Sequence, residues 1–213
     1  MDTCFRRVFR HTYVYIVIFL TLLGGCANSG ARTNQSAEVT QPSISKVEEY
    51  PVYSSLIEKE YGSKSDVPVV VENLTSLDKS FSGGGDVDST LRFIAKNMGS
   101  ELAQEAIDDL RSKNMQAHSL TNRFATKVEC ILISKEEQDE LARHGDFWNE
   151  FAKKYKAQAI VTFSRVGFNR DMNQALVYAG EMCWWKCGHG DYVLLMKENG
   201  VWVVKHRVNV WTS

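Results

Sequence analysis

Apolar positions along this chain recur first at helical and then at strand spacing, and the change falls near Ala157. In YPVYSSLIEKEYG, Val52 and Leu56 share one face and Tyr53 and Ile57 another. That spacing predicts a helix with Pro51 in its first turn and Gly62 as its stop. VPVVVENLT opens with a short, continuously apolar run, the pattern of a strand buried on both faces. SFSGGGDVDS reads as a loop, and helical patterns follow at Thr90–Met98 and Glu101–Lys113, separated by Gly99 and Ser100 as stop and new cap. KVECILIS predicts another strand. Ser134-Lys135-Glu136-Glu137 is a capping box, in which the serine and the glutamate each satisfy an orphan amide of a helix start. That helix breaks at Gly145 and restarts from Asp146, with Trp148, Phe151 and Tyr155 three and four apart.

Beyond this point the period is two. QAIVTFSRVGF, NQALVYAGEM, DYVLLMKE and GVWVVKHRVNVW read as four strands, the last two joined by Asn199-Gly200, the pair a two-residue hairpin prefers. The expected fold is α+β: N-terminal helices and short strands, then a four-stranded antiparallel meander with the helices on one face. With Glu198 facing Val201, the hairpin puts Val193, Leu195, Trp202, Val204, His206 and Val208 on one side. Tyr192, Leu194, Met196, Val203, Lys205 and Arg207 fall on the other.

The N-terminus changes the picture from a free domain to a tethered one. Arg6, Arg7 and Arg10 precede an apolar stretch from Tyr13 to Leu23, too short to span a bilayer core but suited to an export signal. Leu23-Gly24-Gly25-Cys26 resembles the lipobox of bacterial lipoproteins. The resemblance implies a signal peptide over 1–25, cleavage before Cys26 and a lipid on its thiol. Residues 26–45 are polar and aperiodic and read as a flexible tether, leaving 46–213 as a single globular domain. Ala27 after the cysteine resembles outer-membrane sorting, which implies the periplasmic side of that membrane in a Gram-negative cell.

Removal of 1–25 leaves 213 − 25 = 188 residues with 22 basic and 25 acidic side chains, net −3. That balance carries no electrostatic footprint for nucleic acid. Apart from Cys4 and Cys26, the thiols are Cys130, Cys183 and Cys187. In an oxidising compartment the close pair is the natural bridge, and Cys130 reads as a small buried apolar residue.

Candidate chemistry is sparse. Asp86-Val-Asp88-Ser-Thr90-Leu matches the string of haloacid-dehalogenase phosphatases, but glycines rather than a strand precede it and no βα alternation is expected after it. Asp88 or Ser89 as a helix N-cap is the plainer reading. EMCWWKCGHGDY allows three readings. Redox catalysis prefers Cys-x-x-Cys at a helix N-terminus. A metal site on Cys183, Cys187 and His189 needs a fourth ligand, for which Asp191 and Cys130 are the candidates, and structural zinc usually uses two such clusters where this chain has one. A disulfide across the strand-to-strand turn would leave Gly188 and Gly190 to supply unusual backbone angles and hold Trp184 and Trp185 in place, as lids on the core or as a contact surface. The third fits the spacing best.

Phe147-Trp148…Phe151…Lys154-Tyr155, FSRVGFN, QALVY, Cys183…Cys187-Gly188 and YVLLMKENGVWVV resemble an uncharacterised group of bacterial envelope proteins, a likeness that implies an autonomous domain and no particular activity. The group often has small residues between the two cysteines, where this chain has Trp184 and Trp185. The leading functional expectation is a non-enzymatic, lipid-anchored domain that binds an envelope partner, with no cofactor or metal. The alternative is a small-ligand or enzymatic domain. A helix set against a meander ending KENGVWVV resembles cystatin- or NTF2-like folds, whose concave sheet forms a pocket. Arg165, Tyr178, Glu181 and His206 would then be the pocket residues, because polar groups inside strands require partners.

Overall fold

The computed structural model describes residues 45–62, 66–76, 86–184 and 187–213. The lipobox at Cys26, the tether and Trp185 lie outside the described residues. Among these residues are helices α1 (Ser45–Tyr61), α2 (Val87–Met98), α3 (Gln104–Lys113), α4 (Lys135–Arg143) and α5 (Phe147–Tyr155). The strands are β1 (Val69–Glu72), β2 (Cys130–Ile133), β3 (Ala159–Phe163), β4 (Gly167–Phe168), β5 (Gln174–Cys183), β6 (His189–Glu198) and β7 (Val201–Thr212).

Local signals set these boundaries. Ser134 caps α4 by accepting the Glu137 amide, as the capping box requires, and Asp146 caps α5 through the Asn149 amide. The cap of α2 is Asp86, not Asp88 or Ser89; its carboxylate accepts the Ser89 amide at 2.7 Å. A 3-10 turn at Gly99–Glu101 separates α2 from α3. α1 begins at Ser45, so Pro51 lies inside the helix rather than in its first turn.

The strands form one mixed seven-stranded sheet in the order β2-β1-β3-β5-β6-β7, with β4 pairing the near half of β5. β1 runs parallel to both β2 and β3, and the remaining pairs are antiparallel. The sheet is therefore larger than a four-stranded meander, and its first three strands alternate with helices. The expectation of no βα alternation after Asp86 fails here: α2 and α3 link β1 to β2, and α4 and α5 link β2 to β3.

Helices cover both faces, not one. On the first face Val69, Val71, Val161, Phe163, Val177, Val193 and Leu195 pack with Val52, Tyr53, Leu56 and Ile57 of α1. On the second, Leu176, Tyr178, Tyr192, Leu194 and Val208 meet α2 and α3, while Val70, Ile133 and Ile160 meet α4 and α5. The side-chain period of two explains the split, since each buried strand presents apolar groups to both layers. The open concave face of a cystatin- or NTF2-like sheet has no counterpart among the described residues.

The predicted hairpin register holds from Glu198↔Val201 to Leu195↔Val204, then a bulge pairs Leu194 with His206. One extra residue flips every later side chain to the other face. His206 and Val208 therefore leave the side of Trp202 and Val204 for that of Leu194 and Tyr192, and Arg207 moves to the α1 side. A second shift, between Gly190 and Asp191, places Trp211 opposite Gly190.

Candidate functional site

The four residues expected to line one pocket do not converge. Arg165 lies near the start of α1, where its guanidinium meets Glu49 at 2.7 Å. Tyr178 belongs to the core of the second face, and its hydroxyl accepts the Trp211 indole N–H at 2.9 Å. Glu181 lies on the α1 face and accepts the Tyr61 hydroxyl. His206 is half-buried beside Leu194.

A different constellation gathers at the end of the sheet where β5 turns into β6. α1 ends above this point, so its last residues, Glu60 and Tyr61, look down on Glu181, His189 and Arg207. Glu181 and His189 are cross-strand partners. His189 and Asp191, two apart on β6, share a face, and their polar atoms are 3.9 Å apart. Arg207 bridges the layers: one guanidinium nitrogen meets Asp191 at 2.9 Å and another meets Glu60 at 2.5 Å. Asn209 donates to the second Asp191 oxygen at 2.8 Å. Asp191 is buried, and this pair of donors satisfies its carboxylate away from water. Burial raises the Tyr61 phenol well above its ordinary value, and the charge on Glu181 raises it further.

The turn itself is closed. Cys183 and Cys187 form a disulfide with their Cα atoms 5.4 Å apart. Trp184 projects from it at 45 % exposure. The return strand is pinned from the other side, because the Gly188 and Ser213 backbones pair at 2.9 Å and the Ser213 hydroxyl accepts the Gly188 amide. Gly188 and Gly190 are not needed for unusual backbone angles, since neither has a positive φ. Space is the reason for Gly190: a Cβ there would stand 1.9 Å from the Trp211 indole nitrogen. Trp211 lies across the glycine and reaches Tyr178, locking the end of β7 over the turn.

With the two sulfurs bonded to each other, Cys183 and Cys187 present no thiolate pair to a metal, and no three potential ligands converge among the described residues. Cys130 is buried, and burial raises its thiol above the usual value. Asp86 serves as a cap and Asp88 pairs with Arg111, so the phosphatase-like string has structural work to do.

Sequence reasoning missed Glu49, Tyr61, Arg207 and Trp211, and raised Asp191 only as a fourth metal ligand. The alternation His189-Gly190-Asp191 was a legible signal, because residues two apart in a strand share a face. Arg207 was not legible, since the bulge reverses its side.

Comparison with known proteins finds no match: no protein family, no curated protein and no solved structure is similar to this chain.

Proposed function

We propose that this chain is a lipid-anchored lipoprotein of the cell envelope whose globular domain binds a partner at its closed β5–β6 turn. In this reading residues 1–25 are the signal, Cys26 carries the lipid, 26–45 form the tether and 46–213 the non-enzymatic domain, resident on the periplasmic side of an outer membrane where the cell has one. The observation that carries it is Trp184, an indole 45 % exposed on a turn held by the Cys183–Cys187 disulfide. A rigid exposed indole loses little entropy on contact and brings a large apolar area. Arg165, Tyr178 and Glu181, the residues a catalytic or ligand pocket would have used, are engaged by Glu49, Trp211 and Tyr61. Among the described residues no helix is long and apolar enough to cross a membrane.

The test is a photo-crosslinking amino acid at position 184 in living cells, with the same group at exposed Met115 as control. A discrete adduct from 184 alone supports the reading, whereas no adduct, or equal adducts from both, removes it. Incorporation of labelled fatty acid by the wild type but not by Cys26→Ser tests the anchor separately.

A further inference from the structure

β7 is the last strand of the sheet, and its outer edge has no backbone partner among the described residues. We propose that the first four residues of this edge bind an extended, acidic peptide segment of another protein as an added strand, laid in the groove between β7 and α1.

The hairpin sets which backbone groups are free. Asn199 and Gly200 both have positive φ, and their turn closes on Glu198↔Val201. In a two-residue turn of this kind the closing pair is hydrogen-bonded, so the N–H and C=O of Trp202 and Val204 point away from β6. Beyond Val204 come a bulge and the run Lys205-His206-Arg207, both features that discourage pairing at an edge. Val201–Val204 has neither. At the opposite edge β2 has four residues, and the Asn122 side chain covers its Cys130 carbonyl.

Beside Val201–Val204 runs a groove of about 810 Å³, walled by α1, by residues 123–125 and by the start of β7. Its apolar walls are accessible. Val201 is 61 % exposed, Pro51 and Ala125 are exposed, and Tyr50, Val203 and Val204 are half-buried. An added strand lies about 4.8 Å from its neighbour and turns every second side chain to the same face, here into the groove. An alkyl chain could cover these walls but would leave the edge amides unpaired, whereas a peptide backbone pairs them.

The sign of the charge comes from the rim. Arg123 and Lys59 line the groove, are exposed, and pair with no carboxylate among the described residues. The Arg123 guanidinium lies 5.2 Å from the centre of the Tyr50 ring, which keeps it at the groove. Glu58, the acid beside them, already accepts the Lys127 amide. A carboxylate on the incoming strand complements the two cations. A second copy of this chain would instead offer its own β7, with the basic run Lys205-His206-Arg207.

The full chain in lipid nanodiscs, with isotope-labelled valine, is titrated with acetyl-Asp-Val-Thr-Val-Thr-Asp-amide. The controls are the peptide with both aspartates replaced by lysine, the peptide N-methylated at alternate amides, and decanoate. The expected result is a saturable shift of the Val201, Val203 and Val204 amide signals with the acidic peptide, and slower hydrogen exchange at Val204. Lysine replacement, N-methylation, and Arg123→Gln combined with Lys59→Gln should each weaken binding about tenfold or more. The double variant should melt as the wild type does, since both side chains are exposed. No shift, equal binding of the lysine or N-methylated peptide, a response to decanoate alone, or self-association of the chain through the same amides overturns the proposal. Crosslinking from position 184 reads the other end of β6, so the two surfaces succeed or fail separately.

Discussion

Arg165 and Glu49 meet at 2.7 Å beneath the first helix, with the carboxylate almost wholly out of water. The same carboxylate takes a hydrogen bond from the Tyr53 hydroxyl at 2.9 Å and lies 3.3 Å from the Val166 amide. Around it, Asn114 bridges the Arg165 backbone to α3, and Ser164 accepts the Tyr178 amide. This network ties α1 to the β3–β4 connection and so holds one helical layer to the sheet.

Removing one partner leaves a buried charge without its complement. Arg165→Met is expected to destabilise the domain by ~3–5 kcal/mol, the range for broken buried pairs. The double change Glu49→Leu with Arg165→Met should recover part of that loss, because no charge remains to be desolvated. Urea denaturation of the three variants measures the difference, and an additive double variant would show that the pair is not coupled.

Gly190→Ala should cost ~1–3 kcal/mol, since its new Cβ must displace Trp211. Gly200→Ala offers the contrast: nothing crowds its Cβ, but its φ of 82° favours glycine, so the loss should be near 1 kcal/mol. Only the first change should also alter indole fluorescence, because only it dislodges Trp211 from Tyr178. Equal fluorescence in both variants would contradict the close packing described for Gly190.

Four positions separate Cys183 from Cys187, so the bridge removes little freedom from the unfolded chain, about 2 kcal/mol by loop closure. Replacing both cysteines with serine should lower the melting temperature by no more than ~8 °C and leave the far-UV spectrum unchanged. Crosslinking from position 184 should fall much further. A melting temperature reduced by tens of degrees would show that the bridge supports the whole domain, not its tip.

Alkali should unfold the protein abruptly. Burial holds the Tyr53, Tyr61 and Tyr192 phenols above their ordinary value near 10, and nearby Glu49 and Glu181 push the first two higher. These groups keep their protons in the folded state after the unfolded chain has begun to release them. Their contribution is complete below about pH 10 and is lost as pH rises from there toward the folded values. Each phenol steepens the fall by ~1.4 kcal/mol per pH unit. Stability from urea midpoints should be nearly flat from neutral pH to about 9.5 and then drop, and Tyr192→Phe should make the drop shallower.

Much of this architecture could be read from local signals, because caps and periodicity are short-range. Ser134 and Asp146 start their helices where the sequence indicates, and Val69–Val71 are buried on both faces. Strand order was not legible, since the parallel pairing of β1 with β2 and β3 joins residues far apart in sequence. The candidate site failed for a related reason. Bulges in β7 carry no composition signal, yet they decide that Arg207 rather than His206 joins Glu60 and Asp191. Arg165, Tyr178 and Glu181, expected to share one pocket, each meet a different partner: Glu49, Trp211 and Tyr61.

The position of β1 has a consequence for how the molecule is made. Val69–Glu72 is flanked on both sides by strands that leave the ribosome later, β2 at Cys130–Ile133 and β3 at Ala159–Phe163. At ~5–20 residues per second, that leaves a valine-rich segment without its second neighbour for roughly 5–20 s of synthesis. A short, uncharged, apolar run in this condition is a template for intermolecular pairing. Until β3 arrives, VPVVV has at most one of its two strand neighbours to cover it.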